Sequence, residues 1–229
     1  MNVLYRVHSL RNSIDFALRQ VFSFGFAVTE ALPADVQFQK EMTEFFAKFD
    51  WEKHLAVYNS GASLKVLDVG ARNFSLAPVF HRLFRKHGFQ PEVRGIEIDA
   101  NRRLRNFRTR RDYAAFFVAQ TPDAQFHACD FLKWETPADC IFALNPFVTK
   151  SPLLAWGLPL KLFRPEDFFQ KLAALLAPSK GLLFVTNPTP EEVEITQGLL
   201  SGRFELLEKH SWLSSKGGHP RYAGLYRRI

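Results

Sequence analysis

From Leu64 onward the chain alternates short apolar runs with helix-length stretches, and the first two runs both end on acids. Lys65-Val66-Leu67-Asp68-Val69-Gly70 reads as an apolar strand that passes Asp68 and breaks into a turn at Gly70. Gly95-Ile96-Glu97-Ile98-Asp99 reads as a second strand with Glu97 at its tip. Strands are expected at 64–69, 93–98, 125–129, 139–144, 181–187, 204–210 and 222–228, and helices at about 73–87, 100–119, 165–177 and 190–201. Such alternation makes a parallel sheet with both faces covered. The last two strands flank Ser214-Ser215-Lys216-Gly217-Gly218 with no helix between them, so they form an antiparallel hairpin. The expected fold is α/β: a seven-stranded, mostly parallel, doubly wound sheet closed by that hairpin and preceded by a helical N-terminal extension.

The extension covers residues 1–60 and the sheet domain 61–229. Apolar spacing predicts a helix over 13–22 and one longer helix over 35–58, stopped by Asn59-Ser60-Gly61. The first residues carry Arg6, Arg11, Arg19, Ser9 and Ser13 with no acid before Asp15. That composition is shared by transit peptides, but an amphipathic first helix accounts for it and keeps the segment in the fold.

At 229 residues and 47% hydrophobic, the chain can bury one large core, and many of its 24 Phe must lie in it. No apolar run reaches membrane-spanning length. Cys129 and Cys140 make neither a metal spacing nor a disulfide framework, which suits a reducing cytoplasm. The histidines show no ligand spacing, so no metal is expected. The net charge is +7, much of it from Arg102, Arg103, Arg105, Arg108, Arg110 and Arg111. This cluster would suit the phosphates of a nucleic acid. It would equally serve as a solvated helix face, although on a helix these six spread around the axis.

Two parallel strands that end on acids suit a nucleoside: the turn passes close to the ligand and the second acid takes the ribose hydroxyls. A dinucleotide turn needs glycines at three positions, and here Arg72 and Ser75 stand at the second and third. No P-loop is present. The turn is therefore built for a nucleoside without a phosphate to cradle.

These residues resemble the class I S-adenosylmethionine-dependent methyltransferases over about residues 60–229. Val66-Leu67-Asp68-Val69-Gly70 is similar to the first motif of that family, Glu97 stands at its ribose acid, and Asp130 stands at its adenine acid. Ala177-Pro178-Ser179-Lys180-Gly181 is similar to the turn into its fifth strand. The resemblance implies S-adenosylmethionine as cofactor, held by Asp68, Gly70, Ala71, Arg72, Glu97, Ile98, Asp130, Phe131 and Asn145. Arg72 would pair with the cofactor carboxylate, and Ile98 and Phe131 would flank the adenine. The family's first motif continues with further glycines, where this chain has Ala71, Arg72 and Asn73.

The fourth strand ends at Asn145-Pro146-Phe147. This resembles the Asn-Pro-Pro-aromatic motif of amino-group methyltransferases, with the second proline missing and the aromatic one place early. It implies that Asn145 and Pro146 accept hydrogen bonds from an acceptor nitrogen that stacks on Phe147. The plain alternative is a strand-ending Asn-Pro turn. Residues 149–165, with Trp156 and Phe163, read as a long loop over the acceptor pocket, and the resemblance would bring Phe45, Phe46 and Trp51 near it. Three functions are carried forward: an amino-group methyltransferase, a small-molecule methyltransferase with a structural Asn-Pro, and a non-catalytic module whose arginines bind RNA or an acidic partner.

Overall fold

The computed structural model describes residues 3–21, 25–213 and 220–229. Phe22, the 214–218 turn and His219 lie outside the described residues. Three helices lead in: α1 (Val3–Val21), α2 (Pro33–Phe46) and α3 (Trp51–Leu55). Then come β1 (Ser63–Val69), α4 (Ala77–Lys86), β2 (Gln90–Ile96), α5 (Arg110–Ala119), β3 (Ala124–His127) and β4 (Cys140–Leu144). The chain continues through α6 (Lys150–Ala155), α7 (Pro165–Leu175), β5 (Leu182–Asn187), α8 (Pro190–Leu200), β6 (Phe204–Leu213) and β7 (Pro220–Arg228).

The seven strands form one sheet in the order β3-β2-β1-β4-β5-β7-β6. β1 pairs in parallel with both β2 and β4, and β7 lies antiparallel between β5 and β6. All six residues of β5 are buried, as expected for a strand covered on both faces. The strand order reverses between β1 and β4, which opens a crevice at the carboxyl ends of the strands. Ligands bind at such switch points in open α/β sheets. No helix among the described residues is long and apolar enough to cross a membrane.

Several expected elements change. The single helix over 35–58 breaks at 47–50, where the Asp50 carboxylate accepts from Lys53 N at 3.1 Å and starts α3. The helix expected over 100–119 begins only at Arg110, because Thr109 and Asp112 form a capping box there. Residues 100–109 are instead a loop closed by an Arg103–Thr109 bridge. The helix expected from residue 73 starts at Ala77, since 70–76 form a tight turn. The 149–165 loop contains α6 and a short 3-10 turn, Leu160–Leu162.

One face of the sheet is covered by α2, α3 and α4. Phe45, Phe46, Phe49 and Trp51 pack there with Phe80, Phe84, Phe142 and Phe184. Phe46 lies 5.5 Å from Phe142 and 5.1 Å from Phe184, both edge-on, and such pairs contribute about 0.5–1.5 kcal/mol beyond burial. This corrects the placement of Phe45, Phe46 and Trp51 near an acceptor: they are core. From the same extension, Asp35 and Phe38 reach the crevice instead. The other face buries Leu183 and Val185 against Phe169 and Leu172 of α7.

Candidate functional site

The crevice holds a cavity of about 450 Å³, within the range of small-molecule sites. Its floor is the β1 turn. Gly70, Arg72 and Phe74 all adopt left-handed backbone, with φ of 74°, 53° and 58°. Only glycine enters that region freely; other residues store about 1–3 kcal/mol of strain there. The turn thus keeps the backbone of a glycine-rich loop while two of its positions carry large side chains. Gly70 N and Ala71 N both donate to Ile96 O, at 2.9 and 3.0 Å, which binds the turn to the end of β2. The Phe74 ring is fully buried against Gly95, where a Cβ would come within 2.4 Å of it.

Glu97 lines the cavity and is nearly buried. Its Oε2 accepts from Arg72 N at 2.9 Å and its Oε1 from Asp99 N at 2.8 Å. Arg110 Nη1 lies 3.3 Å from Oε1. A carboxylate offers about four acceptor positions, so Oε2 keeps room for one further donor. The sequence expectation was that this acid would take both ribose hydroxyls; the backbone and Arg110 leave it one. Beneath it, Asp68 is pushed up to about 8 by burial, reinforced by the Glu97 charge and partly opposed by Arg72.

Asp130 and Phe131 line the same cavity. Asp130 Oδ1 accepts from Leu132 N at 3.0 Å and caps the short turn Phe131–Lys133, so the capping role of this residue is real. The Phe131 ring sits 5.0 Å from Phe168. Ile98 completes this end.

At the other end stand Asn145, Pro146 and Phe147. Asn145 is also left-handed, with φ 53°. Its N–H donates to Thr186 O, and its Oδ1 accepts from Thr186 Oγ1 at 3.0 Å. The side-chain oxygen is therefore held toward β5, with a second lone pair left over.

The roof is Trp156, at the end of α6. The Arg72 and Arg110 guanidinium carbons lie 5.0 and 5.2 Å from its ring. Cation–π contacts of this kind contribute about 0.5–2 kcal/mol each. Arg72 is exposed and reaches across the turn to this ring. Trp156 was expected over the pocket as part of the 149–165 loop; the guanidiniums that hold its ring and the Arg110–Glu97 pair were not expected from sequence. The signal for Arg110 was the Thr109-Arg110-Arg111-Asp112 capping box, which places Arg110 in the first helical turn beside the strand tips.

The arginine cluster is thus not a helix face. Arg110 is buried on Glu97, and Arg102 donates to Asp99 at 2.6 Å and to Trp156 O. Arg108 Nε donates to Ala27 O. Among the described residues no group of three or more His, Cys, Asp or Glu could hold a metal ion.

No family model and no curated protein matches this sequence. Solved structures do match. Magnesium protoporphyrin IX methyltransferase from Synechocystis PCC 6803, with bound SAM, superposes with a TM-score of 0.57 over 100% of this chain and 98% of its own, at 15% identity. N-methyltransferase NodS from Bradyrhizobium japonicum WM9, in complex with S-adenosyl-L-homocysteine, gives 0.54 over 99% of both chains at 12% identity. Geranyl diphosphate C-methyltransferase from Streptomyces coelicolor A3(2) gives 0.53 over 96% of this chain and 98% of its own, at 9% identity. The chain has the Rossmann-like fold of the class I S-adenosylmethionine-dependent methyltransferases.

Proposed function

We propose that this chain is an S-adenosylmethionine-dependent methyltransferase whose acceptor is an amino nitrogen. One observation carries the reading. A left-handed turn at 70–74 and the Glu97 carboxylate face one cavity of about 450 Å³ at the switch point of the sheet. The residues fit the cofactor. Glu97 Oε2 has an acceptor position for a ribose hydroxyl, Ile98 and Phe131 offer apolar walls to a flat ring, and the floor makes no phosphate cradle. Two neighbours of the same fold were solved with SAM or S-adenosyl-L-homocysteine bound, which supports the same ligand class here.

When bound, the cofactor supplies an activated methyl group on a sulfonium. The protein then acts mainly by proximity and alignment. In this reading the Asn145 oxygen, locked in place by Thr186, accepts from an N–H of the acceptor with its second lone pair. Pro146 O accepts alongside it, and Phe147 gives the acceptor a flat wall. Trp156, clamped by two guanidiniums, keeps water from the centre of the cavity. A nitrogen acceptor needs no strong base. The neighbours include an N- and a C-methyltransferase, so the nitrogen assignment rests on the Asn-Pro-Phe terminus alone. A second reading, in which Asn145 is structural, is favoured by its bond to Thr186. For a nucleic-acid acceptor the outer arginines, such as Arg105 and Arg111, would supply phosphate contacts.

Calorimetric titration with S-adenosyl-L-homocysteine tests the reading. The expected result is one site per chain, weakened more than about tenfold by Glu97→Ala and less by Asn145→Ala. Absence of binding by the unsubstituted chain would replace the enzyme with a non-catalytic module. Charge reversal at Arg105 and Arg108 that left retention on RNA intact would remove the nucleic-acid acceptor.

A further inference from the structure

α1 is mounted with its polar side inward. Asn12 Nδ2 donates to Leu154 O and Leu158 O at 3.0 and 3.1 Å, Ser9 Oγ accepts from Leu160 N, and Arg19 Nε donates to Asp99 at 2.9 Å. Facing out are Val7, Leu10, Ile14, Leu18 and Val21, exposed by 60, 66, 55, 50 and 74%. A surface helix ordinarily turns its apolar stripe to the core. Here the docked face is satisfied by hydrogen bonds and Phe16, and the apolar stripe is left without a partner among the described residues.

The stripe has the make-up of a coiled-coil seam. At 100° per residue it is only about 80° wide, narrower than the face of an ordinary amphipathic helix. Its β-branched residues Val7, Ile14 and Val21 stand seven apart with Leu10 between them, a heptad spacing that keeps them on one seam. It carries no aromatic anchor of the kind a membrane-seeking helix presents. Charge selects the direction. Side by side in parallel, Arg6 of one helix would face Arg11 of the other, twice. In an antiparallel pair centred on Ile14, Arg11 of one copy comes within about 3 Å, along the axis, of Asp15 of the other. Val7 then meets Val21, and Leu10 meets Leu18. Arg11 and Asp15 pair with each other within α1 at 3.8 Å, both exposed, and in the antiparallel pair each would also face its opposite charge across the seam.

We propose that α1 is a self-association surface: two copies of the chain pair through antiparallel α1 helices, with the two-fold axis at Ile14. The contact is isologous, each stripe meeting itself. One helix seam is smaller than the ~800 Å² per partner of a standard interface, so the dimer is concentration dependent. The inference is independent of the methyltransferase reading, since no residue of the stripe lines the crevice.

Sedimentation velocity on the purified full chain from low to high micromolar concentration tests it. The expected result is a shift from 26.4 kDa to twice that mass. Ile14→Lys, which places two like charges on the axis, should raise the dissociation constant more than about tenfold and leave the melting curve unchanged. Under oxidation Ile14→Cys should cross-link to itself, Val7→Cys alone should not, and the Val7→Cys, Val21→Cys double variant should, each read against the unsubstituted chain. A chain monomeric at every concentration would overturn the proposal, as would an Ile14→Lys chain that still dimerises. A monomeric chain that floats with phosphatidylserine vesicles would assign the stripe to a lipid surface instead.

Discussion

Arg72 and Phe74 sit in backbone that L-residues enter at a cost, and each has something that holds it there. Phe74 is clamped in the slot that Gly95 leaves open; Arg72 gives its N–H to Glu97 and its guanidinium to Trp156. The absent glycines therefore change the side chains around the crevice and not the path of the turn. Asp68 beneath it is a buried carboxyl with its pKa pushed up to about 8, against about 3.9 in an unfolded chain. Between those values the folded state binds more protons than the unfolded state, so stability falls as pH rises. Asp68→Asn removes this dependence. Thermal melts from pH 5 to pH 8 should decline less steeply for the variant, which should also be the more stable of the two at pH 8. Parallel profiles would show that Asp68 is already ionised in the fold. Gly70 and Glu97 were legible in the sequence because a strand tip is a place that pattern alone identifies. The burial of Arg110 was not, because its capping box is hidden in a run of arginines that reads as solvated charge.

Among the elements, the least legible feature was how the N-terminal helices are used. Apolar spacing finds a helix but does not say which way its stripe faces, and in α1 the stripe faces out, the reverse of an ordinary surface helix. The inward grip centres on Asp99, which is fully buried and held by Arg19 at 2.9 Å and Arg102 at 2.6 Å. Arg19 also donates to Gly157 O and Arg102 to Trp156 O. One carboxylate thus joins α1, the segment after β2 and the end of α6 that carries the roof of the crevice. Arg19→Ala should cost about 2 kcal/mol, the scale of a charge-assisted hydrogen bond to a buried partner, in urea unfolding. It should also speed amide exchange over residues 150–158. Unchanged exchange there would mean that α6 is held by its own contacts, such as Leu153 and Leu158 against Phe16. The strands and α7 and α8 fell near their expected bounds because their apolar runs are short and punctuated. The 100–119 helix did not, because high helix propensity continues across the loop that Thr109 ends.

For the molecule as a whole, alternation of strand and helix followed by a helix-free hairpin was enough to specify the sheet, including the antiparallel β7. The aromatic wealth of the chain is explained at this scale too. Phe45, Phe46 and Trp51 plate one face of the sheet and pack their rings on Phe80, Phe84, Phe142 and Phe184. The crevice that remains is framed by β1, β2 and β4, with Glu97 on one side and Asn145 on the other. The most direct test of this arrangement is a crystal structure with S-adenosyl-L-homocysteine. The ribose should lie within hydrogen-bonding distance of Glu97 Oε2, the adenine between Ile98 and Phe131, and the sulfur on the Asn145 side of the cavity. A ligand bound elsewhere, with Glu97 still held only by Arg72, Asp99 and Arg110, would contradict the account.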